Sequence, residues 1–193
     1  MDRDELVRLA GEKLANSIFR DAPPEAEGLE ARPYGQMSGD EVRFFVYQDV
    51  LDELAFAAGY RDEPSFAVLL GAFAVDDRGP FLEVTGFSRF QYTAGLGKLY
   101  QSLKPELDSL VDELSGYSAD PPQHVVGLFV GARGSGGKLP AEVARVHLSL
   151  FNVPYQVAAI VDPDAELFGL HARAPASKFY NSPFWTVERL DSP

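Results

Sequence analysis

Apolar positions along this chain recur with two periods, near 3.6 and near 2, and their alternation predicts a domain of mixed helices and strands. From Asp4 to Phe19, the residues Leu6, Leu9, Ala10, Leu14 and Ile18 fall on one helical stripe, with Asp2 or Asp4 as N-cap. The stretch DAPPEAEGLEARPYGQMSGDE then mixes Pro, Gly and acids without a period, which predicts a linker or an irregular wrapped segment. VRFFVY predicts a strand. Asp49 to Gly59 predicts a helix whose stripe is Val50, Leu51, Leu54, Ala55 and Ala58, with Gly59 as its stop. SFAVLLGAFAVD and FLEVTGFSRFQY, split by the turn signal Asp-Asp-Arg-Gly-Pro, predict an antiparallel hairpin.

Leu99, Leu103, Leu107, Leu110, Val111 and Leu114 predict a further helix over Lys98 to Leu114, with Pro105 either kinking it or opening its better half. After Pro121-Pro122 the pattern reads strand (HVVGLFVG), Gly-rich loop (ARGSGGK), helix (LPAEVARVHLSLF, Pro140 near its first turn), then two strands, YQVAAIVDP and LFGLHAR. The tail carries Phe179, Tyr180, Phe184 and Trp185, too aromatic to stay in water, and is expected to pack on the domain.

Composition narrows the classes of function. A length of 193 residues suits one domain with a core large enough to need no disulfide, and with no cysteine there is no thiolate metal site and no thiol nucleophile. Lys plus Arg number 17 against 29 Asp plus Glu, a formal charge of −12, which repels phosphate backbones and anionic lipid, so neither nucleic acid nor membrane is expected as a partner. No apolar run approaches the roughly 20 residues that span a bilayer, and the charged N-terminus does not read as a signal peptide. A cytoplasmic location is expected.

The loop from Gly131 to Lys138 follows a strand and precedes a helix, and VAAIVD supplies an apolar strand ending in Asp162, so a phosphate cradle must be considered. Such a cradle needs a hydroxyl directly after its lysine to hold magnesium; Leu139 stands there, and Pro140 delays the helix. A degenerate P-loop is therefore the least favoured reading, and the loop reads as a flexible surface connection. His124, His147 and His171 have no metal-ligand spacing among them. Ser135 and Ser149 lack a nucleophile-elbow context. Glu53, Glu63, Glu142 and Asp162 are scattered, as solvated carboxylates of an acidic surface are. Arg133 is a cation at the tip of the loop, and the ordinary reading is a solvated arginine.

The order of elements, from VRFFVY and its helix through the FAVLLG hairpin, VVGLFVG, loop, helix and QVAAIVDPDAELFGLHAR, resembles the MPN (JAB) domain family over Val42 to Arg173. The match is best in Val125 to Asp162. There Gly127-Leu128-Phe129 stands where the family has G-W-Y, and Ile160-Val161-Asp162-Pro163 where it has its V-V-D-P strand. The resemblance implies an α/β (α+β) fold: a mixed, largely antiparallel sheet flanked by helices. In the family the strand that carries G-W-Y runs into the zinc motif H-x-H-P, followed by a loop and S-x-x-D. Carried over, the two histidine positions are Val130 and Ala132, the proline is Arg133, the serine Pro140 and the aspartate Val143, while the general-base glutamate falls at Pro64 beside Glu63. Glu142 adjoins the aspartate position. None of the ligand positions carries a zinc ligand, so the family's peptidase chemistry is not expected.

These readings predict an N-terminal helix and linker (1–40), an MPN-like domain (41–173) and a docked aromatic tail (174–193). The expected function is a non-catalytic scaffold or protein-protein interaction module, with no cofactor and no metal, and with a protein partner that is another MPN-type domain or a second copy of itself. The alternative is a ligand-binding protein or enzyme that reuses the metal-free cleft, with Arg133 and Lys138 on an anionic group and Glu63 or Glu142 as acid or base. The helices Asp49 to Gly59 and Lys98 to Leu114 are the candidates for dimerisation.

Overall fold

A computed structural model describes residues 23–24, 28–37, 42–60, 64–90, 96–116, 123–151, 153, 155–174 and 178–189. The expected helix from Asp4 to Phe19 lies outside these residues, as does Glu63. In chain order the elements are β1 (Ala31–Tyr34), β2 (Arg43–Tyr47), α1 (Gln48–Gly59), β3 (Ser65–Asp76), β4 (Gly79–Arg89), α2 (Leu99–Gly116), β5 (His124–Gly131), α3 (Ala141–Leu150), β6 (Val157–Asp162), β7 (Leu167–Ala174), β8 (Lys178–Ser182) and β9 (Phe184–Val187).

All nine strands form one mixed sheet in the order β1-β9-β2-β4-β3-β5-β6-β7-β8. The β2–β4, β2–β9 and β5–β6 pairs are parallel, and the other five are antiparallel. The fold is therefore mixed α/β, with the expected hairpin as β3 and β4. The segment expected to be an irregular linker contributes β1, whose ladder partner is β9, at least 150 residues away.

Alternation along the strands sorts the core into two clusters, one on each face. Phe66, Val68 and Leu70 of β3 join Leu128, Val130 and Ile160 beneath Leu99, Leu103 and Leu107 of α2 and Val143 and Val146 of α3. Ala67 and Leu69 point the other way and pack with Val50, Leu54 and Ala58 of α1. The i, i+4 spacing of each trio is what turns it to one side of its helix. α2 runs through Pro105, which is exposed. Gly59 is not a left-handed stop: α1 is capped by Tyr60 at φ −73°, ψ −26°, whose N–H donates to the Phe56 carbonyl at 3.1 Å.

The two ends of the sheet meet. β8 closes the order on one side and β9 lies between β1 and β2 on the other, yet only Pro183 separates them. Leu170 stands opposite Ser182, so the next same-face pair in that register is Phe168 with Phe184, and their rings lie 5.2 Å apart. Residues 178–187 thus behave as one bent strand, paired with β7 before the bend and with β2 and β1 after it. A proline, with no N–H to offer a ladder, suits the point where the partner changes. The sheet curls as a result.

Candidate functional site

The ends of β5 and β6 lie side by side, with Val130 opposite Ile160 and Gly131 opposite Val161, and the Gly131 to Lys138 loop leaves from there. The sequence predicts a loose surface connection. The structure instead shows a loop fastened to the sheet. The Ala132 N–H donates to the Val161 carbonyl at 2.8 Å, and the Gly136 N–H donates to Asp162 Oδ2 at 2.6 Å. Asp162 Oδ1 accepts from the Asp164 N–H at 3.1 Å and the Ala165 N–H at 3.4 Å, so one carboxylate ties the β5–α3 loop to the β6–β7 turn. His171 Nε2 and the Gly137 carbonyl are 2.8 Å apart, a bond in which the ring nitrogen is the donor.

Asp162 is therefore not a surface carboxylate: it is 1% exposed. The amide of Gly136 is the main cause holding its carboxyl below the ordinary range, against the cost of burial and with help from the amides of Gly134, Asp164 and Ala165. His171, also buried, is pushed down by burial and partly restored by its bond to Gly137.

Two glycines make this contact sterically possible. Gly137 has φ +70°, in the left-handed region that favours glycine. A Cβ on Gly169 of β7 would stand 2.3 Å from the Gly137 carbonyl oxygen, so a side chain there would displace the loop.

Beneath the loop, the position that the family resemblance assigns to the first zinc histidine is filled by Val130, fully buried. Val143, at the aspartate position in the first turn of α3, is fully buried in the same cluster, with Ala132 and Leu139 packed against its edge. Pro140 holds the extended residue before α3, at φ −63°, ψ 143°, and its carbonyl accepts from the Ala144 N–H at 3.0 Å. Pro64 precedes β3 and is half-buried.

The charged candidates face other partners. Arg133 pairs with Asp164 and donates from Nη2 to the Gly59 carbonyl at 2.9 Å, pinning the loop to the end of α1. Glu142 pairs with Arg145 at 3.2 Å on its own helix. Lys138 is exposed, and its backbone N–H closes a turn onto the Ser135 carbonyl at 3.1 Å. Among the described residues, no three His, Asp or Glu side chains stand together as a metal ion would need.

Sequence reasoning missed the roles of Asp162 and His171. The available signal for the aspartate was its place: an acid at the very end of an apolar strand, beside a loop whose glycines offer free amides. It missed Arg43 as well, which lies 6% exposed in β2, bonded through its guanidinium to both oxygens of Asp76 and to the Gly79 carbonyl at 2.9 Å.

No protein-family model and no curated protein matches the chain. Among solved structures, it is similar to the solution structure of a protein from Desulfitobacterium hafniense, with a TM-score of 0.46 and 12% identity, over 77% of this chain and 95% of that one. Among the described residues, no helix is long and apolar enough to cross a membrane.

Proposed function

We propose that the chain is an MPN-like domain that has given up metal chemistry and serves as a protein-protein interaction module. The observation that carries this reading is the burial of Val130 and Val143. Where a zinc peptidase of that family would keep polar ligands around an open coordination position, these two side chains are sealed in an apolar cluster. A carboxylate or imidazole set into that cluster would meet a desolvation cost with no partner to offset it. The order of elements supports the family likeness: a strand and helix, a hairpin, a helix, then strand, loop, helix and strand, with β5 lying between β3 and β6.

The anion-binding alternative has weaker support, because Arg133 is engaged by Asp164 and Gly59 rather than turned with Lys138 toward a common ligand. The test is direct. Zinc titrated into the purified full-length chain should give no stoichiometric heat, and elemental analysis should find less than about one ion in ten chains. A stoichiometric metal, or hydrolysis of an isopeptide-linked substrate abolished by chelation, would overturn the reading.

A further inference from the structure

We infer that the segment from Asp4 to Phe19 docks as a helix across the outer face of β9, β2, β4 and β3, a strap over the strands that close the sheet. The face itself is buried. Phe45 stands opposite Trp185 on one side and Glu83 on the other, and Glu83 stands opposite Ala72, so these four side chains form one row across four strands. Phe81 and Ala74 stand opposite each other in the next row, two positions from Glu83 and Ala72. Phe45 is 0% exposed, Phe81, Glu83 and Ala74 are 1% exposed, and Ala72 is 5% exposed.

The three described helices lie elsewhere. Leu69, which α1 covers, shares its face with Phe73, and Phe73 stands opposite Leu82, whose other neighbour is Phe44. Phe45, one residue on, therefore points away from α1. α2 and α3 lie on the same side as Phe45 but over the other part of the sheet: their cluster takes in Phe66, Val68 and Leu70 of β3 and includes none of Ala72, Ala74, Phe81 and Phe45. A sheet face is kept from water by a second layer packed on it.

Length and attachment select the occupant. Of the stretches outside the described residues, only 1–22 is longer than six residues. Within it Leu6, Leu9, Ala10, Leu14 and Ile18 form one apolar stripe, and a helix over Asp4 to Phe19 is about 24 Å long, against about 14 Å across four strands. The chain also joins the sheet at the right edge. Ala31 and Pro33 of β1 stand opposite Val187 and Trp185, so they share the face of Phe45. Just before them Leu29 packs on the core, its N–H donates to the Pro24 carbonyl at 3.1 Å, and Pro23 and Pro24 are buried. The strap crosses β2 and β9, whose ladder has three residue pairs, and so holds the closure that the bend at Pro183 brings about. It makes the N-terminal stretch a layer of the domain rather than an extension free for partners, and it stands whether or not the interaction-module reading does.

A chain without cysteine allows disulfide mapping in the full-length protein. Ala72→Cys, combined in turn with Leu6→Cys, Leu9→Cys, Leu14→Cys and Ile18→Cys, should give an intramolecular disulfide in at least one pair on mild oxidation. Ala72→Cys with Arg8→Cys, on the far side of the stripe, should give none. Leu14→Glu should lower the melting temperature by at least about 5 °C, as loss of a buried leucine does in a chain of this size, and should shift Trp185 emission to the red. Arg8→Glu should do neither. Disulfides that form only between chains would show that a second copy covers the face, and no disulfide in any of the four pairs would show that the segment lies elsewhere. Either result overturns the inference.

Discussion

Protonation of His147 should be one of the steepest acid liabilities in this fold. The ring is fully buried on the inner side of α3, stacked on Phe151 with centroids 4.8 Å apart and edge-on to Phe179 at 5.2 Å, and neither ring nitrogen has a hydrogen-bond partner. Burial is the main cause that lowers its pKa from 6.5 to about 4; the Val157 backbone opposes the shift, and the charge of Arg173 adds to it. The neutral ring belongs to the folded state, whereas the unfolded chain takes up a proton near 6.5. This contribution is thus fully present above pH 6.5 and is lost progressively as pH falls toward 4. With 1.36 kcal/mol per pKa unit, the loss approaches about 3 kcal/mol, of which about 2 to 3 fall between pH 7.5 and 4.5. Urea unfolding of the parent and of His147→Leu across that range isolates it, because every other titrating group, including His124 and His171, is common to both proteins. Their stability difference should shift by that amount in favour of leucine as pH drops. Parallel curves would refute the argument, whatever leucine costs at pH 7.5.

Asp162→Ala should free the Gly131 to Lys138 loop by leaving the amides of Gly136, Asp164 and Ala165 without their shared acceptor. Trypsin, with Arg133 and Lys138 as its sites, should then cut there about tenfold faster or more while the rest of the chain resists. Equal rates would mean that the carboxylate does not restrain the loop. Arg43→Met should cost about 3–5 kcal/mol in urea unfolding, because it strands the Asp76 carboxylate, whose side chain is 5% exposed. Adding Asp76→Leu should recover much of the loss, and a strictly additive double variant would contradict the coupling. Burial works against ionisation of Asp76, but Arg43 and the Arg78 amide outweigh it and hold the carboxyl below 3.8, so the parent's benefit from the pair exists above that pH and fades as pH falls below it.

What the sequence revealed follows the distance over which each feature is decided. α1, the β3–β4 hairpin, β5, α3 and β6 are legible because their apolar periods and turn residues lie within a dozen positions of one another. β1 is not, since ARPY carries no alternation of its own and becomes a strand only when β9 arrives from the far end of the chain. The apolar stripe of α1 includes Ala55, which the structure exposes, because a small residue gives the period too little contrast to fix an edge. Arg43 looked like one polar position in an apolar run, and nothing local announces a carboxylate 33 residues on. The candidate site divides the same way. The replacement of histidines by Val130 and Ala132 is plain from the letters, whereas the fastening of the loop by Asp162 and His171 depends on three segments meeting.

The bend at Pro183 bears on the order in which the molecule can be assembled during synthesis. β1 and β2 are among the first strands to leave the ribosome, but they share no ladder, and the strand that joins them is β9. Until residues 184–187 emerge, the nascent chain can complete the β3–β4–β5 region and hold β2 against β4, while β1 and the exposed side of β2 wait with unpaired edges, the kind of surface on which chaperones act. The separation of β9 from β1 and β2 along the chain makes this a slow, long-range step in folding. Trp185, the single tryptophan, stacks on Phe45 at 5.4 Å and so carries a fluorescent record of when that step occurs.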